Sequence, residues 1–165
     1  MKNRQGLKNH TISIVVYNKP GVMARITSLI TRRGFNIESI SAGDAKEKGM
    51  YRLTIVVKGD NRSIEQIQKQ VYKIIDTVKV SPIIEDEKIE SETALVKIKA
   101  SNGEKTEIYQ LINIYKGNIV DSAPEGMVVE IVGTRKRVDG FINLLPRNNV
   151  MEIARTGIVA MNRFN

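Results

Sequence analysis

The sequence predicts an α+β chain of two tandem β-α-β-β-α-β modules. Two observations carry that reading. Each half opens on an alternating apolar strand followed by a helical apolar stripe, and the same element order repeats after an acidic break near residue 85.

In the first half, Ile12, Ile14 and Val16 alternate with Thr11, Ser13 and Val15, the period-two pattern of a half-buried strand over residues 11–17. Asn18-Lys19-Pro20-Gly21 then forms a turn. Proline near a first helical turn forfeits no hydrogen bond, and Asn18 is of the type that caps one. Val22, Ile26, Leu29 and Ile30 recur at helical spacing as far as Gly34, a residue suited to the position just past a helix end. Residues 35–43 read as a second strand with imperfect alternation. Residues 51–57 read as a third, with Tyr51, Leu53, Ile55 and Val57 on one face and Gly49 in the preceding turn. Ser63-Ile64-Glu65-Gln66 has the form of a capping box, opening a helix whose stripe is Ile64, Ile67, Val71, Ile74 and Ile75. A fourth strand covers residues 78–84. Residues 85–93 lack periodicity and read as a linker.

The second half repeats the order. A strand over 94–100 precedes a helix carrying Ile108, Leu111, Ile112 and Tyr115, which ends at Gly117. A short strand at 119–120, the turn Pro124-Glu125-Gly126 and a strand over 128–132 follow. A helix with Val138, Phe141, Ile142 and Leu145 stops at Pro146, and a last strand spans 150–159. Each half is thus a ferredoxin-like unit, two helices on one face of an antiparallel sheet. The expected boundaries are a polar tail over 1–9, a first domain over 10–84, a linker over 85–92 and a second domain over 93–165.

Composition narrows the chemistry. The 165 residues include no Cys and a single His, His10. Thiolate zinc sites, iron–sulfur clusters, disulfides and Cys nucleophiles are excluded, and a His-rich metal site or a Ser–His–Asp triad finds no support. Phosphate-binding glycine patterns are absent. The acidic group Glu85, Asp86, Glu87, Glu90 and Glu92 reads as a solvated linker rather than a hard-metal site. No apolar run approaches a membrane span, so the chain is expected to be cytoplasmic, with no membrane partner. No catalytic residue and no metal ligand is assigned.

The net charge of +8 raises nucleic acid as a partner. RNA-recognition modules of this element order stack bases on aromatics displayed by the central strands. The outward positions here are Thr11, Ser13, Val15, Arg52, Thr54 and Val56, none of them aromatic, and no nucleic-acid partner is expected. Arg32-Arg33 and Arg135-Lys136-Arg137 read as solvated faces. The second run is unusual at a helix start, where cations oppose the dipole, and suggests contact with an acidic protein.

The turn Asn18–Met23 carries the best site signal. A helix N-terminus presents unpaired N–H groups and a positive dipole end suited to a carboxylate. Gly21 permits close approach, the Asn18 amide offers both a donor and an acceptor, and Val22 and Met23 offer apolar walls. A free aliphatic amino acid fits that chemistry; so does an ordinary turn and cap with no ligand.

Residues 10–85 resemble an ACT domain, a small module that binds amino acids. More specifically, Asn18-Lys19-Pro20-Gly21-Val22-Met23-Ala24-Arg25 and Arg32-Arg33-Gly34-Phe35-Asn36-Ile37-Glu38-Ser39 resemble the small, regulatory subunits of acetohydroxyacid (acetolactate) synthase. The family pattern is N-x-x-G-x-L-x-R followed by Q-R-G-[FY]-N-I-[ED]-S; Met23 and Arg32 depart from it. Leu95–Ile98, Gly117–Asp121 and Glu152-Ile153-Ala154-Arg155-Thr156-Gly157 extend the resemblance to the second half.

The resemblance implies a subunit with no chemistry of its own. Thiamine diphosphate, Mg and FAD would be carried by a large catalytic subunit that condenses two 2-oxo acids in branched-chain amino-acid synthesis. The small subunit would raise that activity and confer feedback inhibition by valine or another branched-chain amino acid, binding it across a homodimer of ACT domains. The family's pocket maps onto Asn18, Gly21, Val22 and Met23 of one chain with Asn36 and Ile37 of its partner. The rival reading is a free-standing ACT-type amino-acid sensor acting on a different protein.

Overall fold

The computed structural model describes residues 8–101 and 103–164, with Ser63 by its backbone alone. The first seven residues of the expected polar tail, and the Ser63 side chain of the expected capping box, lie outside that description.

Strand β1 (Lys8–Tyr17), helix α1 (Val22–Arg32), strands β2 (Ile37–Asp44) and β3 (Met50–Gly59), helix α2 (Asn61–Val71) and strand β4 (Thr77–Ile83) form the first β-α-β-β-α-β module. The second comprises β5 (Lys88–Lys99), α3 (Lys105–Ile114), β6 (Asn118–Ala123), β7 (Gly126–Gly133), α4 (Arg135–Leu144) and β8 (Val150–Arg155). A final strand, β9, covers Val159–Asn162. The first sheet has four strands in the order β2-β3-β1-β4, and the second has five, in the order β6-β7-β5-β8 with β9 also paired to β5. The α+β class and both ferredoxin-like modules are therefore as the sequence predicts. By tertiary contacts the chain divides into one unit running to Ile89 and including Ile158 onward, and another over Glu90–Gly157.

In the first unit, Ile12, Ile14 and Val16 of β1 and Leu53, Ile55 and Val57 of β3 line the sheet's inner face. Val22, Ile26 and Ile30 of α1 and Ile64, Ile67 and Val71 of α2 close on it. Each such aliphatic side chain contributes about 1.5–3 kcal/mol on burial, which is why the two stripes fix the helices on one face. In the second unit, Ala94, Val96 and Ile98 face Met127, Val129 and Ile131, capped by Ile108, Ile112, Val138 and Phe141. Tyr115 meets Phe141 edge to face at 5.8 Å between ring centres.

Several elements depart from expectation. Helix α2 starts at Asn61, two residues before Ser63, directly after Asp60, a residue type favoured at helix N-caps. It ends at Val71; Ile74 still packs on the core, whereas Ile75 is 89% exposed in the turn beyond. The stretch read as a linker is a single 3-10 turn over Glu85–Glu87 followed by β5, and Glu92 within it is buried. Arg155 pairs with Glu92 and, at 2.7 Å, with Asp139. The run Arg135-Lys136-Arg137 has a local use, since Arg137 donates through Nε and Nη2 to the Tyr115 carbonyl at the end of α3, where a cation suits the dipole.

The expected last strand over 150–159 is two strands. β8 ends at Arg155, Thr156 exchanges hydrogen bonds with Thr93, and the chain then joins the first unit. There the Ile158 N–H donates to the Ser39 hydroxyl, and Ile158 and Ala160 pack with Val56 and Ile83. The Arg163 N–H donates to the Glu87 carbonyl beyond them. Thr11, Ser13, Thr54 and Val56, expected to face solvent, are therefore buried. Strand β9 lies against β1 and β4 on that outer face.

Candidate functional site

The turn between β1 and α1 is pinned at several points. The Tyr17 N–H donates to the Asp76 carbonyl and the Asn18 N–H to the Gly49 carbonyl, both at 2.9 Å. Gly21 is the N-cap residue of α1 and lies in the left-handed region at φ 79°, with no side-chain capping bond. Asn18, expected as a possible cap, leaves its side chain exposed and makes no such bond. The Val22 N–H donates to the Lys19 carbonyl at 3.3 Å, while among the described residues the Gly21 and Met23 N–H groups have no acceptor. No acidic residue occupies the first turn of α1, so its positive dipole end is not neutralised locally.

Asp76, the residue just before β4, was not singled out in the sequence. It is buried, and it takes Lys19 Nζ at 2.9 Å and the guanidinium of Arg25. The hydrogen bond from Lys19 holds its carboxyl below the usual range; burial opposes that, and the Lys19 and Arg25 charges reinforce it. Arg25 of the N-x-x-G-x-x-x-R pattern thus has a place, tying α1 to the start of β4. Only the spacing of two cations around one turn hinted at an acidic partner, with nothing to say where in the chain it lay.

Asn18, Gly21, Val22 and Met23 come together at this end of α1. Val22 is only 3% exposed, its side chain in the core, and Met23 packs on the core's edge. Asn36 and Ile37 lie beyond the other end of the helix. An eleven-residue helix is about 16 Å long, and the strand registers agree: Ile37 pairs with Val57, which pairs with His10, whereas Tyr17 pairs with Met50. One copy of the chain therefore does not bring the two sets together. The exposed Asn36 donates through Nδ2 to Glu38 at 3.1 Å, leaving its carbonyl oxygen to accept. Ile37 packs partly against the core. A break in the β2–β3 register between Ile37 and Ser39 accounts for the imperfect alternation of this strand. β2 is an edge strand.

His10 serves structure, its Nε2 lying 3.1 Å from the Gly59 carbonyl. Among the described residues no group of three or more His, Asp and Glu is placed to hold a metal ion. No described helix is long and apolar enough to cross a membrane.

Comparison with known proteins bears on both halves. Residues 12–79 match the family model described as "AHAS small subunit-like ACT domain", and residues 91–164 match "Small subunit of acetolactate synthase". A Methanothermobacter thermautotrophicus protein named "Probable acetolactate synthase small subunit" is 44% identical over 155 residues, covering 93% of this chain and 92% of its own. The acetolactate synthase small subunit of Mycolicibacterium smegmatis is 37% identical over 96% of this chain and 93% of its own. The crystal structure of the Thermotoga maritima acetolactate synthase small subunit superposes with a TM-score of 0.91 at 51% identity, covering 96% of this chain and 99% of that one.

Proposed function

The chain belongs to the acetolactate synthase small-subunit family, and from that premise we propose that it activates a large, thiamine-diphosphate-dependent catalytic subunit and makes it sensitive to valine. The observation that carries the effector site is the Gly21 turn, where unpartnered N–H groups stand at a helix start free of acidic side chains. A carboxylate bound there gains charge-assisted hydrogen bonds and the helix dipole together. The Asn18 amide and the Asn36 carbonyl would orient the polar end of the amino acid. Met23 and Ile37 at the core's rim, with Val22 behind them, supply apolar contact.

Because Asn36 and Ile37 lie at the far end of α1, the complete site draws them from a second copy, and edge strand β2 is the natural place for two copies to pair. Thiamine diphosphate, Mg and FAD belong in this reading to the catalytic subunit, and this chain holds none of them. Valine inhibits only by binding one arrangement of the paired domains better than another.

The test is to titrate the purified chain into a large subunit and follow acetolactate formation with and without valine. Activation is expected, and Asn36→Ala should retain it while raising the valine concentration needed for inhibition about tenfold or more, the worth of one hydrogen bond to a charged group. Unchanged inhibition of that variant would sink the site. An absence of activation would favour an ACT-type amino-acid sensor with another partner.

A further inference from the structure

The outer face of the first unit's sheet holds a cavity that the effector site does not use. It measures about 170 Å3 and is lined chiefly by Ser13 and Val15 of β1, Arg52 of β3, Lys79 and Ser81 of β4, and Asn162 of β9. Strand register places these groups. Val15 pairs with Arg52 on one side and with Lys79 on the other, and Ser13 pairs with Ser81. Neighbouring strands lie about 4.8 Å apart, so the two cations spring from points about 10 Å apart on one face, within reach of a common ligand. The β1–β4 register breaks between Val15 and Val16, beside Lys79, where an irregularity re-aims a side chain. Asn162 fixes the remaining wall, since its Oδ1 accepts from the Ile84 N–H and its Nδ2 donates to the Pro82 carbonyl.

Among the described residues neither Arg52 nor Lys79 makes an ion pair. The Ser13 hydroxyl, on a residue 5% exposed, has no hydrogen-bond partner among them either. Like charges facing each other across one strand repel, and an anion between them turns that repulsion into attraction. A guanidinium fork, an ammonium and serine hydroxyls are donors matched to the oxygens of a doubly charged group. We propose that this cavity binds a phosphate-type dianion, as free phosphate or as the headgroup of a phosphomonoester. The site is separate from the Gly21 turn and does not depend on the effector reading.

Calorimetric titration of the full chain with inorganic phosphate and with glycerol 3-phosphate, at ionic strength held by chloride, tests it. Both anions are expected to bind. Amide shifts should centre on Ser13, Arg52, Lys79 and Ser81. Arg52→Gln and Lys79→Gln should each weaken binding about tenfold; both residues are exposed, so folding is spared. Lys69→Gln, an exposed cation on α2, should change it less than twofold. A tighter ester identifies a metabolite headgroup; equal affinities identify the free anion. The proposal is overturned if neither anion binds at millimolar concentration, if Lys69→Gln weakens binding as much as Arg52→Gln, or if the shifts centre on Gly21–Met23.

Discussion

Glu104 accepts from the Ser101 hydroxyl at 2.6 Å and the Ser101 N–H at 2.9 Å through one oxygen, and from Asn149 at 3.1 Å through the other. Those donors, the Ser101 hydroxyl foremost, lower its carboxyl to about 2, against about 4.3 in an unfolded chain. The folded chain therefore binds this proton less readily than the unfolded one. Its stabilising effect is complete above pH of about 4.3 and is lost as pH falls toward 2. Thermal unfolding followed by circular dichroism across that window should show a falling midpoint, and Glu104→Gln should flatten part of the slope. Identical slopes in the two proteins would remove Glu104 as the cause. At this scale the inner-face residues were legible, because alternation and helical spacing are local. Glu92 was not, because its partner Arg155 lies 63 positions away and nothing local distinguishes a buried carboxylate from a solvated one.

Strand β9 is the element that sequence periodicity misplaced. Residues 150–162 have a strand-like composition throughout, and both β8 and β9 pair with β5, so the composition does not change where β9 comes to lie against β1 and β4. The break at Thr156-Gly157 is visible only through its contacts, the Thr93 hydrogen bonds and the Ser39 hydroxyl that receives the Ile158 N–H. The energetic importance of β9 can be read at Ala160, 6% exposed in the cluster with Val56, Ile83 and Ile158. Ala160→Asp buries an unpaired charge there and should cost about 3 kcal/mol in urea denaturation. Met161→Asp, next along the strand but 58% exposed, should stay within about 0.5 kcal/mol. Equal effects would mean that β9 is not docked in solution. The same cover lies on the sheet face where RNA-recognition modules of this element order stack bases.

For the whole molecule, the two-module plan was legible because each module repeats one order of elements, and the turn proposed to hold an effector was singled out by its glycine and helix start. The separation of that site into halves at opposite ends of α1 was not, since it requires the strand registers. The proposed site, divided in this way, would work only in a dimer. Light scattering should give twice the 18.5 kDa chain mass, and a monomer at every concentration used would count against a shared site. The return of Ile158 and β9 to the first unit also sets an order in time. On the ribosome, the residues up to Ile89 emerge about 70 residues before the segment that covers their outer sheet face. At roughly 5–20 residues per second, Val56 and Ile83 wait several seconds for Ile158 and Ala160. The residues from Ile158 onward must therefore be made before the first unit can close, and a chain cut between the modules would leave it permanently open along one face.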